Sequence, residues 1–221
     1  MSTYPQRVAD NILPLSQAET LPEAFGEWYF TGITEDHEQA IEECELCNQE
    51  QLRYHFKIKN KNTHKHLWIG SQCIIKFKVA VFEDDRLLDE KETKKKLNSL
   101  IKKMRFTSCM NALRQLAQKE NHNILDNALD FYQKNKYLTP KLSFVIFWRL
   151  KSHGIDHSPS FFKVSLKRDK YKNDLREMEP HRVHLIWPAL TSSQRKLALS
   201  MGHSAPPLPA MESEAKAGRP Q

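Results

Sequence analysis

Apolar and polar positions change period along the chain, and the change divides it. Around residues 27–70 the pattern is that of strands. EWYFTGI at 27–33 is aromatic and β-branched. In LRYHFKIKN, Leu52, Tyr54, Phe56 and Ile58 alternate with polar and basic residues, which predicts a half-buried strand. KNTHK makes a polar turn and HLWIG returns as the second arm of a hairpin; Gly70 and Ser71 then turn the chain into a helix that opens near Cys73. From residue 91 the period is helical. Leu97, Leu100, Ile101 and Met104 predict one helix, SCMNALRQLAQ a second and ILDNALDFYQKN a third. LTPKLSFVIFWRLKSHG predicts a fourth, capped by Thr139, started by Pro140, closed by Gly154 and apolar all round from Phe144 to Trp148. Residues 158–177 repeat the signal with Ser158 before Pro159, and TSSQRKLALSM ends the series with the capping-box spacing of Thr191 and Gln194.

These elements give an α+β fold in four parts. Residues 1–26 are an irregular or short helical lead, with Ser16 as a cap and Pro22 as an interruption; 27–90 are a module with a small antiparallel sheet; 91–202 are a helical bundle; 203–221 are a Pro- and Ala-rich disordered tail. Neither a secretory leader nor a run of about 18 apolar residues is present, so no membrane association is expected and the expected compartment is the cytoplasm.

Charge sharpens this division. Residues 1–50 hold eleven acids and one base, Arg7, leaving +17 on the remainder of a chain whose net formal charge is +7. Residues 51–82 carry seven bases and no acid, the electrostatic footprint of a surface that faces phosphates. Arg53, Lys57, Lys59, Lys61 and Lys65 on or beside the hairpin, Lys94, Lys95 and Lys102 on the next helix, and Lys163, Lys167 and Arg168 further on are the candidate nucleic-acid contacts. The helices at 139–153 and 158–177 could form a helix-turn-helix, with Ser160, Lys163, Lys167 and Arg168 on the entering face. The bland counterpart for each basic run is a solvated face, and for the helix pair a normal connection in a core.

Four cysteines, at 44, 47, 73 and 109, are too few for a disulfide scaffold and are spaced like metal ligands. C-x2-C, a hairpin, then G-S-x-C at a helix start is the order that builds a treble clef around Zn²⁺: a knuckle supplies two thiolates and the first helical turn a third. The fourth place on that helix is Lys76 or Phe77, which cannot serve. Cys109 is the expected replacement, with His37, His55, His64 and His66 as alternatives, and a water in the fourth place as a further one.

The segment CELCNQEQLRYHFKIKNKNTHKHLWIGSQCIIKF resembles a group of uncharacterised bacterial, phage and plasmid-encoded treble-clef zinc-finger proteins with a C-x2-C, L-R-Y-x-F, G-S-x-C-I pattern. The resemblance covers about residues 40–80 and implies a zinc ribbon or treble clef in a mobile-element protein; it implies no reaction. A weaker likeness is to the zinc-finger subunit of type IV CRISPR complexes, although the second C-x2-C expected there is missing. The function expected is thus a zinc-binding, nucleic-acid-associated accessory or regulatory protein that binds DNA or RNA. The alternative is an adaptor, subunit or inhibitor that meets a protein complex. No enzyme is expected: the helix that would carry nuclease ligands has no His, and His153, Asp156 and His157, or His181 and His184, read as loop polarity before they read as a site.

Overall fold

A computed structural model describes residues 3–120 and 123–207. The fold is α+β, and the chain divides into two compact units, Met1–Asn111 and Ala112–Gln221.

The first unit opens with α1 (Tyr4–Ile12), a 3-10 turn (Leu13–Leu15) and α2 (Leu21–Phe25), in which Pro22 sits in the first turn and so starts the helix instead of interrupting it. Three strands follow, β1 (Trp28–Asp36), β2 (Tyr54–Asn60) and β3 (His66–Ile69), in an antiparallel meander of order β1-β2-β3. α3 (Ser71–Lys76) comes next, then a small hairpin of β4 (Phe82–Glu83) and β5 (Arg86–Leu87), and then α4 (Glu90–Lys119). α4 is one helix of 30 residues where two were expected; no Gly or Pro lies between Met104 and Ser108 to break it. The division between the units falls within it.

Period-2 alternation decides which way the sheet faces. Trp28, Phe30, Phe56, Ile58, Leu67 and Ile69 are all buried, and Val8 and Ile12 of α1, Ile74 of α3 and Leu97 of α4 belong to the same core. The intervening residues form the outer face in register: Tyr29 opposite Lys59 opposite His66, and Lys57 opposite Trp68. A bulge lies between Phe30 and Thr34, where Gly32 takes φ +82°, a conformation that carries no steric cost without a Cβ.

The acidic lead is tied to the hairpin by one carboxylate. Glu27 accepts hydrogen bonds from Asn60 Nδ2 at 2.7 Å and from the backbone N–H groups of Gln17 and Ala18 at 3.0 and 2.9 Å. Asn60 Oδ1 in turn accepts from the N–H groups of Asn62 and Thr63 at 2.8 and 3.0 Å, which shapes the hairpin turn. Trp28 Nε1 donates to Ser16 Oγ at 2.9 Å, so Ser16 anchors a core indole and caps no helix.

The second unit contains α5 (Ile124–Asn135), α6 (Pro140–Ser152), α7 (Asp169–Arg176), α8 (Pro180–Ile186) and α9 (Ser192–Ser200). Thr139 caps α6 and accepts from Leu142 N; Thr191 and Gln194 form the capping box expected of them. The helix expected over 158–177 is only α7. Pro159–Phe161 is a 3-10 turn, and beyond it the backbone is extended because Leu138 pairs with it: Leu138 N donates to Lys163 O at 2.8 Å and Ser165 N to Leu138 O at 2.9 Å. No helix-turn-helix forms there. The sequence pattern does not reveal α8, and the apolar stretch of α6, which should be buried all round, is not, since Trp148 is 45% exposed. Of the expected tail, 203–207 is described, with His203 Nε2 at 2.7 Å from Leu175 O; 208–221 lies outside the described residues.

The hydrogen bond from Asn60, followed by those from Gln17 and Ala18, holds the Glu27 carboxyl below the usual carboxylate range. A lowered folded-state value means that the ionised group stabilises fully above its unfolded value of about 4.3, and that this contribution disappears as pH falls through the folded value. Glu27→Gln should therefore lower the melting temperature most at neutral pH, and the gap from wild type should close in acid. A gap that is the same at every pH in a melting series would show that the charge plays no part.

Candidate metal centre

The knuckle Cys44-Glu45-Leu46-Cys47 closes through a left-handed residue. Asn48 takes φ 57°, a region that Asn tolerates better than other side chains with a Cβ, and its N–H donates to Cys44 O at 2.8 Å. The knuckle is docked on the edge of β3. Glu45 N donates to Trp68 O at 3.0 Å, and Trp68 N donates to Glu45 Oε2 at 2.6 Å, which satisfies an edge strand that would otherwise be open to another chain. Gly70 begins α3, whose first turn carries Cys73.

Three sulfurs meet as a result. Cys44 Sγ is 3.7 Å from Cys73 Sγ, Cys73 Sγ is 3.4 Å from Cys47 Sγ, and all three residues are buried. A tetrahedral metal with metal–sulfur distances of about 2.3 Å sets its sulfurs about 3.8 Å apart, so the cluster needs only a slight opening to hold such an ion. These three cysteines are the one group of His, Cys, Asp and Glu among the described residues that lies close enough to hold a metal.

The electrostatics follow from crowding. The hydrogen bond from Cys73 pulls the Cys44 thiol down to about 5 against the effect of burial, and backbone N–H groups at Gly70, Cys47 and Leu46 add to the pull. Cys73 is pushed up by that same bond and by burial, and Cys47 is pushed up by burial first. One thiolate is therefore favoured and the neighbouring two are not. A divalent cation reverses this for all three, because a bound cation is the largest charge in such a site.

Cys109 does not join them. It is buried on α4, further along the helix than Leu97, Leu100, Ile101 and Met104, which pack in or against the core around the cysteines, and it stands outside the three-sulfur group. The histidine alternatives are not brought there either. His55 has both ring nitrogens engaged, with His37 Nε2 at 3.1 Å and with Glu43 O at 3.1 Å. His64 lies in the hairpin turn and His66 is three residues, about 10 Å, from the end of β3 that leads to Cys73. His153, Asp156 and His157 form no metal-sized group with one another.

The lead residues 3–12 form part of the centre, which the sequence reading missed. Tyr4, Arg7 and Asn11 occupy one face of α1 and all reach the knuckle region. Arg7 Nε donates to Cys47 O at 3.3 Å, Asn11 Nδ2 donates to Leu46 O at 3.2 Å and to Asn48 Oδ1 at 2.7 Å, and Tyr4 lines the same cavity as the three cysteines. The available signal was the i, i+3, i+7 spacing of these residues, but a polar stripe is not one that hydrophobic periodicity detects. A cavity of about 520 Å³ opens beside the sulfurs, lined by Tyr4, the three cysteines, Gln51 and Lys76 among others.

The expected nucleic-acid contacts are scattered. Lys57 and Lys59 are on the outer sheet face, and Lys65, Lys94, Lys95 and Lys102 are exposed. Arg53 is committed elsewhere: its Nε and Nη2 donate to Asp36 Oδ1 and Oδ2 at 2.8 and 3.1 Å, and Ser108 Oγ donates to the same carboxylate at 2.7 Å. Lys61 Nζ donates to Gly26 O at 3.1 Å. Lys163, Lys167 and Arg168 are exposed in the second unit, on extended chain and not on a reading helix.

No helix among the described residues is long and apolar enough to cross a membrane. No family model, curated protein or solved structure matches the chain.

If the centre consists of the three clustered cysteines, Cys109→Ser should retain a full equivalent of metal, whereas Cys47→Ser should lose metal and partly unfold the first unit. Elemental analysis with circular dichroism reads both. Loss of metal on Cys109→Ser alone would contradict the geometry.

Proposed function

We propose that the chain is a zinc-stabilised module that binds single-stranded nucleic acid on the outer face of its sheet. The observation that carries this reading is the composition of that face: Tyr29, Lys59 and His66 in one row across the strands, and Lys57 and Trp68 in the next, with Lys57 Nζ 5.5 Å from the Trp68 ring centroid. Aromatic rings flanked by cations on an antiparallel sheet suit unstacked bases and their phosphates, because every base has a π-face and every linkage a negative charge. Zinc is the ion that best suits three buried thiolates in tetrahedral spacing, and it would stabilise a unit that has only a short three-stranded sheet around which to build a core.

A second reading, a protein-binding adaptor, draws on the second unit. There a cavity of about 830 Å³ is lined by Phe144, Phe147, Trp148, His181, His184 and Leu185, and Trp148 is well exposed.

The two readings separate on binding. Fluorescence anisotropy with labelled oligonucleotides should give tighter binding to single strands than to duplex, with a slope of log K against log salt of about −2 to −3 for three or four phosphate contacts. Trp68→Ala should cost about 1–3 kcal/mol, and the pair Lys57→Glu and Lys59→Glu should flatten the slope. Absence of binding at low salt by the metal-loaded protein would sink the nucleic-acid reading and leave the adaptor.

A further inference from the structure

We propose that the cavity of the second unit is the seat of this chain's own C-terminal segment 208–211, which enters it from Pro206 and Pro207 and closes it to outside ligands. The proposal concerns the cavity on which the adaptor reading draws, and it rests on neither the metal nor the nucleic-acid reading.

The cavity of about 830 Å³ is built chiefly from two helices. Phe144, Phe147, Trp148 and Lys151 recur at i, i+3, i+4 and i+7 on α6, so they form one stripe about 10 Å long. His181, His184 and Leu185 repeat the spacing on α8. Phe147 is buried, Phe144 half-buried and Trp148 exposed, so the stripe still presents apolar surface.

Local structure delivers the chain to that surface. α9 ends in a left-handed Gly202 at φ 94°; Gly202 N donates to Leu199 O at 3.0 Å and His203 N to Ala198 O at 3.1 Å, the pair of bonds that reverses a chain at a helix end. His203 Nε2 is then 2.7 Å from Leu175 O on α7, and Ser204 Oγ is 3.3 Å from His184 Nε2 on α8. Pro206 and Pro207 follow and form part of the cavity wall. The described residues end there, and the next four are Leu208, Pro209, Ala210 and Met211.

The composition of the segment suits the cavity. APPLPAM at 205–211 is an unbroken apolar run, whereas ESEAKAGRPQ at 212–221 carries two acids and two bases. Prolines at 206, 207 and 209 favour the polyproline II conformation, which loses little entropy on docking and packs well on aromatic rings. At about 3.1 Å per residue, 208–211 spans about 12 Å, close to the length of the α6 stripe. Because the segment continues directly from the wall, its effective concentration at the cavity is on the order of millimolar, an advantage that no free peptide shares.

The experiment labels the full chain with fluorotryptophan and follows the Trp148 resonance by fluorine NMR, assigned through Trp148→Phe. Leu208→Glu should shift this resonance and leave those of Trp28 and Trp68 in place. Lys216→Glu, in the same segment of chain but beyond the apolar run, should shift none of them. A synthetic peptide of residues 204–214, added to the Leu208→Glu chain, should return the resonance towards its wild-type position, and should bind the wild-type chain at least about 10-fold more weakly. A Trp148 resonance indifferent to Leu208→Glu would overturn the proposal. Equal binding of the peptide by both chains would overturn it too, and would leave the cavity open to a partner protein. A wild-type resonance that moves to the Leu208→Glu position on dilution would place the segment in a second copy of the chain and contradict the intramolecular seat.

Discussion

Three thiols held 3.4 and 3.7 Å apart inside a protein cannot all ionise unless a cation sits among them. Most of the first unit is arranged around that constraint. The knuckle is bent by a left-handed Asn48 and docked on β3 by Glu45, α3 begins at Gly70 so that Cys73 falls in its first turn, and α1 is laid over the knuckle by Arg7 and Asn11. α1, the sheet, α3 and α4 share one hydrophobic core, to which the knuckle adds chiefly Leu46 and its cysteines. A structural metal supplies about 10–16 kcal/mol of apparent binding free energy in small modules, a quantity comparable to the whole stability of a domain.

The same sheet separates packing from the face proposed to bind nucleic acid. Its inward positions, from Trp28 to Ile69, are core; its outward positions are Tyr29, Lys57, Lys59, His66 and Trp68. The strand period of two makes these roles inseparable, because a slip of one residue would bury the lysines and expose the core. Glu27 and Asn60 tie that register at the hairpin end, and the knuckle docked on β3 through Glu45 ties it at the other.

Much of this was legible in the residues. C-x2-C followed by G-S-x-C located the three clustered cysteines, because a knuckle and a helix start are local structures set by spacing. The alternation in LRYHFKIKN located the hairpin for the same reason. What was not legible depended on contacts distant in sequence. Only elimination points to Cys109 as a ligand, and nothing local shows that α4 runs unbroken and leaves it outside the cluster. Arg7 and Asn11 act across 35 to 40 residues of chain, through polar atoms that leave no periodic apolar stripe. The pattern of residues 162–166 suggests helix, yet Leu138 pairs with them and holds them extended, with Phe162, Val164 and Leu166 buried. The commitment of Arg53 to Asp36 was equally hidden, since a basic residue in a basic run gives no sign of a partner 17 residues earlier.

X-ray absorption at the edge of the bound metal tests the central claim most directly, because it counts donors by element and distance on the intact protein. The account predicts three sulfurs at about 2.3 Å around a single zinc, from Cys44, Cys47 and Cys73. Four sulfurs would return Cys109 to the site and contradict the account, and a chain that holds no metal would contradict it altogether.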